Sequence, residues 1–220
     1  MAVSMNYLLT LLLVTSAAST EQEFSEFFVK PIQIFSNQKE MTYEELHDEA
    51  LFDCPFASPD GKKQKIIEVL IEVEKSHNLP SSLRGMLLAA ACHESGYNPE
   101  AKGDHKFSKK RKPMAIGLFQ MWPWWEGAPY KVDRRNPRQS ADVYLIHVKS
   151  KLERVKYFCR HRSVERMWLT AWATAIRAPK ASGRCGEIPK FYYILKRWHK
   201  SIKDSRQTDD SCTEHDGCGC

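Results

Sequence analysis

The sequence predicts a mainly α fold: a helical core joined to an irregular lobe that has room for short strands. Apolar residues recur at helical spacing over Gln64–His77, Ser140–Tyr157 and Ile188–Ile202. Residues 97–136 break that periodicity with prolines, glycines, a basic loop and the aromatic group Trp122, Trp124, Trp125 and Tyr130. Such a long irregular stretch inside a compact domain is functional or tied down by packing. With 220 residues, 42% of them hydrophobic, the chain can bury one substantial core.

The first residues read as an export signal. Residues 1–20 carry no charged side chain, the run Tyr7–Val14 is almost wholly apolar, and Ser16, Ala17 and Ala18 follow it. Residues 1–19 are therefore assigned to a signal peptide and 20–61 to an N-terminal extension. Within the extension, Thr42 and Glu45 form a capping-box pattern that predicts a short helix over Tyr43–Leu51. Cys54, Pro55, Pro59, Asp60 and Gly61 mark a loop.

The main domain is placed at 62–205. Its first helix carries Ile66, Ile67, Leu70, Ile71 and Val73 on one side, and Asn78-Leu79-Pro80 ends it. Ser81 is the expected N-cap of a second helix, with Leu83, Met86, Leu87 and Ala90 inward and a stop at Ser95-Gly96. Val143, Tyr144, Ile146, His147 and Leu152 are the expected inner face of a third helix. Ser163 opens a fourth, anchored by Met167, Leu169, Trp172 and Ile176 and ended by Pro179, Ser182 and Gly183. A last helix buries Phe191, Ile194, Leu195 and Trp198. Residues 206–220 form a cysteine-containing tail.

The formal net charge is +6, and six Lys/Arg between Lys102 and Lys112 face one acid, Asp104. A basic face favours polyanions through its long-range field. No recognition-helix or ribonucleoprotein signature accompanies it, so nucleic acid is not an expected partner. No apolar run after the signal is long enough to span a bilayer, so stable membrane insertion is not expected. Seven cysteines behind an export signal predict disulfides, and the odd number leaves at least one unpaired within a monomer. The tail pattern Cys212-x2-His215-x2-Cys218-x-Cys220 offers four zinc ligands. Behind an export signal, a disulfide is the preferred reading, and no metal or cofactor is assigned.

Glu94 is the foremost chemical candidate. It stands at the C-terminal end of an apolar helix, where the helix dipole is negative. That position and apolar surroundings disfavour the charged carboxylate and raise its pKa. A carboxylic acid that stays protonated near neutral pH can hand a proton to a departing sugar oxygen.

The segment from Ala90 to Ala101, with Glu94-Ser95-Gly96-Tyr97-Asn98-Pro99 at its centre, resembles the first signature of the soluble lytic transglycosylases and goose-type lysozymes. Ala115-Ile116-Gly117-Leu118-Phe119-Gln120-Met121-Trp122-Pro123 resembles their second. The similarity covers roughly Lys62 to Lys203. It implies the lysozyme-like α+β fold, with an active-site cleft between two lobes. It also implies a secreted or periplasmic, monomeric glycosidase that cuts peptidoglycan between N-acetylmuramic acid and N-acetylglucosamine, or a deacetylated form of them. Glu94 would be the catalytic acid/base. Ser95 would hydrogen-bond near it, Gly117 would allow close backbone approach, and Gln120 would face the sugar. Tyr192 or Tyr193 would match a tyrosine near the glutamate.

The chain departs from the family at Met114, where a glycine is usual, and at Trp172-Ala173-Thr174-Ala175, which lacks the asparagine and glycine of the third signature. Met114 is therefore expected on a reshaped cleft wall. Trp122, Trp124 and Trp125 either stack on sugar rings or anchor the small lobe, and Lys106–Lys112 are candidates for holding substrate carboxylates. In the transglycosylase route, the substrate's own C6 hydroxyl attacks and one carboxyl suffices. A hydrolytic inverting route needs a second carboxylate about 6.5–9.5 Å away. Asp104, Glu126 and Asp133 are the candidates within the irregular segment. The competing class is a glycan-binding module without catalysis.

Overall fold

The computed structural model describes residues 40–55, 61–176 and 184–213. The signal assigned to 1–19, the helix stops Pro179, Ser182 and Gly183, and the side chains of the Cys212–Cys220 cluster lie outside the described residues. Six helices and one two-stranded ribbon are present among the described residues.

Helix α1 spans Tyr43–Phe52, and both halves of its capping box form: Thr42 Oγ1 accepts from the Glu45 N–H at 3.2 Å, and Glu45 accepts from the Thr42 N–H at 2.8 Å. Leu46 and Ala50 are fully buried, so this part of the extension belongs to the core. Helix α2 covers Gly61–His77 and buries the five predicted apolar residues. It packs against α1, α3 and α4.

Helix α3, Met86–Ser95, is the central element. Met86 through Cys92 are all fully buried. A helix apolar on every side has no solvent face and sits inside the molecule. Its start differs from expectation: Ser81–Leu83 is a separate 3-10 turn, and Gly85 is the N-cap. The cap comes from another helix. The buried Glu74 carboxylate on α2 accepts the Gly85 N–H at 2.5 Å and the Leu87 N–H at 2.8 Å. These groups have no intrahelical acceptor and no access to water, which is why a buried acid stands there. The other end follows the prediction. Gly96 adopts φ 59° and its N–H reaches the Cys92 carbonyl at 3.0 Å, while the Tyr97 N–H reaches Ala91 at 3.4 Å.

Strands β1 (Lys102–Gly103) and β2 (Ala115–Ile116) pair antiparallel, Lys102 opposite Ile116 and Gly103 opposite Ala115. Helices α4 (Pro137–Phe158) and α5 (Val164–Ala175) pack on each other, with Ser163 capping α5 as predicted. Ile146 and Ile176 were expected inward but are each 48% exposed; Leu145 and Val148 take the inner face of α4 instead. Helix α6 runs Tyr192–Thr213, later at both ends than Ile188–Ile202. Pro189 disfavours helical backbone at Ile188 and delays the start. At the far end, Arg206 grips Glu45 of α1 at 2.5 Å, so the helix runs past the expected tail boundary.

Two disulfides join distant segments: Cys54–Cys92 ties the end of α1 to α3, and Cys159–Cys185 ties the end of α4 to the segment before α6. No helix among the described residues is long and apolar enough to cross a membrane.

Candidate functional site

Helix α3 delivers Glu94 to the surface of the core through its last turn. Glu94 is half-buried and lines a cavity of about 360 Å³ together with His93, Ala173, Ile176, Ile188 and Lys190. Its carboxyl is raised from the ordinary 4.5 to about 7. Burial is the largest cause, the negative charge of Asp104 adds to it, and Lys190 opposes it. Among the described residues the Glu94 side chain has no hydrogen-bond or salt-bridge partner. The position is that of an acid left available to a ligand.

A second cavity of about 400 Å³ adjoins the first at Ile176, which lines both. Its polar wall is Asp104 and Gln120, and its aromatic wall includes Trp122, Trp124 and Tyr144. The partly exposed Ile176 thus gives both cavities an apolar wall residue. Tyr144, buried on α4, stacks on Phe119 with centroids 4.8 Å apart, and burial and the nearby Glu94 charge hold its phenol protonated.

The irregular segment is built around one buried cation that sequence reasoning missed. The Arg134 guanidinium donates to Glu126 at 2.8 Å, to the Met114 carbonyl at 3.0 Å and to the Met121 carbonyl at 2.8 Å. Nothing in the sequence separates Arg134 from Arg135 and Arg138, whose partners are the exposed Glu100 and Glu72. Gly117 turns with φ 82°, and a Cβ there would lie 1.9 Å from the Arg134 carbonyl oxygen. The close approach expected at Gly117 is therefore made by the protein's own backbone. The turn presents Gln120, whose Nε2 donates to the Gly117 carbonyl at 3.0 Å.

Of the three candidate second carboxylates, only Asp104 faces the cavity. It accepts the Trp122 indole N–H at 2.9 Å. Glu126 is held by Arg134, and Asp133 is exposed and accepts the Arg135 N–H at 3.0 Å. Glu187, which was not foreseen, also lines the Glu94 cavity and accepts the Arg184 N–H at 3.3 Å.

Other expected site residues are placed differently. Neither Tyr192 nor Tyr193 lines either cavity. Tyr192 donates to Glu165 at 2.6 Å and its phenol is pushed up to about 12 by burial and that carboxylate; Tyr193 is 67% exposed. The tyrosine electrostatically linked to Glu94 is Tyr144 on α4, although α6 packs on α3 and the Phe191 ring, just before α6, lies 6.5 Å from that of His93. The Ser95 hydroxyl bonds back to the Ala91 carbonyl at 3.1 Å, turning along its own helix. Met114 acts through its carbonyl on Arg134 and lines neither cavity. Trp124 and Trp125 anchor the small lobe, one of the two roles foreseen for them. They stack at 4.1 Å within a cluster that includes Tyr130 and His147, and both line the second cavity.

No group of His, Cys, Asp or Glu among the described residues is arranged to hold a metal ion. Compared with protein-family models, curated proteins and solved structures, the chain matches none.

Proposed function

We propose that the chain is an exported glycosidase of the goose-type lysozyme and lytic transglycosylase kind, which cuts the glycan strands of peptidoglycan with Glu94 as acid/base. The observation that carries this reading is the unpaired, half-buried Glu94 carboxyl, protonated up to about pH 7, on the wall of a cavity. The adjoining aromatic cavity supports a sugar strand as ligand, because apolar ring faces stack on pyranose faces while Gln120 and Asp104 offer hydrogen bonds. The two sequence signatures around Glu94 and Gln120 direct the reading to peptidoglycan. Two disulfides support an oxidising compartment.

In this mechanism Glu94 gives its proton to the bridging oxygen as positive charge builds at the anomeric carbon. The donated proton leaves on the departing sugar's hydroxyl. With internal attack, the C6 hydroxyl bonds to the anomeric carbon, the Glu94 carboxylate takes the C6 hydroxyl's proton, and the product is a 1,6-anhydro sugar. Hydrolysis is the second reading, and Asp104 favours it as the carboxylate that both lines the groove and influences Glu94. Mass spectrometry of digested peptidoglycan, acetylated and deacetylated, separates the anhydro end from the reducible one.

Glu94→Gln keeps the shape and removes the proton donor. It is expected to lower cleavage by at least about 100-fold, the usual scale of a general acid's contribution, while retaining wall binding. Cleavage at the wild-type rate would end the catalytic reading and leave a glycan-binding module.

A further inference from the structure

The β1–β2 hairpin carries a charge that the two cavities do not use. Lys102, Lys106, Lys109, Lys110, Arg111 and Lys112 are all exposed on it. Among the described residues, none of the six is in a salt bridge. Elsewhere Arg84 pairs with Glu40, Arg135 with Glu100, Arg138 with Glu72, Arg197 with Asp53 and Arg206 with Glu45. The one acid on the arm, Asp104, is bonded to Trp122 and faces the cavity. Like charges gathered without counter-ions repel one another, a cost that a polyanionic partner removes.

The arm is joined to the cavity by aromatic rings. Phe107 is 58% exposed and lies 5.7 Å, centroid to centroid, from Trp122, which lines the cavity. The Lys106 ammonium sits 5.1 Å over the Phe107 ring. The aromatic wall thus continues out of the groove and ends among cations. Rings followed by positive charge suit a sugar polymer whose units bear anions.

We propose that this arm is an outer subsite for an anionic wall glycopolymer, one whose repeating units carry phosphate or carboxylate groups, held beside the strand in the groove. Its role in cleavage rests on the proposed glycosidase reading; the binding itself does not. Each exposed cation contributes little alone in salt, so the subsite works through their number.

The test titrates the full-length Glu94→Gln protein with labelled polyphosphate and with labelled polyglutamate across a salt series. A second protein adds Lys109→Gln, Lys110→Gln and Lys112→Gln, and a third carries Arg at those three positions. The glutamine triple is expected to bind at least about tenfold more weakly at low salt, with a shallower salt slope, because fewer counter-ions are released. The arginine triple is expected to bind as the parent does. Stronger binding of polyphosphate assigns a phosphate-bearing polymer, and stronger binding of polyglutamate a carboxylate-bearing one. Equal affinity of the glutamine triple and its parent overturns the subsite, as does tighter binding of a single-stranded RNA of matched charge. Failure of the Glu94→Gln cleavage test leaves these titrations readable, so the two ideas fall separately.

Discussion

The Trp122 indole N–H holds the Asp104 carboxylate at 2.9 Å, and that carboxylate helps keep the Glu94 carboxyl protonated. The two acids line separate cavities that have Ile176 as a common wall residue. Burial contributes more than Asp104 to the raised pKa, so the core sets the level and the second carboxylate adjusts it.

A pH prediction follows from that pair. If Glu94 acts as an acid, cleavage falls as pH rises through about 7, where the group loses its proton. In Asp104→Asn the neighbouring negative charge is gone, the ionised form of Glu94 costs less, and the falling limb moves to lower pH. The displacement is smaller than the whole elevation, because burial remains. The pH–rate profile checks it, and carbon NMR titration of Glu94 checks it independently of turnover. An unmoved titration in both would show that Asp104 does not act on Glu94.

Gly117→Ala should destabilise the protein by more than about 2 kcal/mol, since the added carbon meets backbone and φ 82° is strained for alanine. Urea unfolding measures this. A change below about 0.5 kcal/mol, the usual range for surface positions, would mean that the Gly117–Arg134 approach relaxes freely.

Glu74→Gln removes one of two acceptors at the buried start of α3 and should cost about 2 kcal/mol in mildly acidic solution. The wild-type side chain is raised to about 7, by burial above all, against an ordinary 4.5. Between those values the folded state holds a proton that the unfolded chain has begun to lose. Wild-type stability from this group is therefore full below about pH 4.5 and is lost as pH rises through about 7. Glutamine does not titrate, so the stability gap between the two proteins should narrow across that window. Denaturant midpoints at several pH values decide it; a constant gap would place Glu74 at an ordinary pKa.

Removing the Cys54–Cys92 bridge by paired alanine substitution should cost up to about 4 kcal/mol, from the freed entropy of the chain between them. Because α3 stays buried on all sides, Glu94 should keep its raised pKa in the folded fraction. Urea unfolding gives the first value and the Glu94 titration the second.

Much of the fold is legible locally. The Thr42–Glu45 box, the Ser163 cap, the Gly96 stop and the apolar spacing of α2 lie within single elements, and each structural outcome agrees with its sequence pattern. Ser81 misleads because a serine before an apolar run is a local signal, whereas the real cap of α3 is Glu74, on the preceding helix. The choice among Asp104, Glu126 and Asp133 was equally open in the sequence. In the structure the three differ in what each meets: Trp122, Arg134 or the backbone of its own turn.

The sequence by itself determined that Glu94 ends an apolar helix; the burial that makes its proton hard to remove comes from packing. Only the tertiary structure decided which groups share its surroundings: Asp104 and Tyr144 rather than Asp133 and Tyr192, with Arg134 bracing the lobe from inside. The reason is physical. Periodicity and caps report on interactions a few residues apart, whereas a groove is assembled from segments that become neighbours only when separate helices pack.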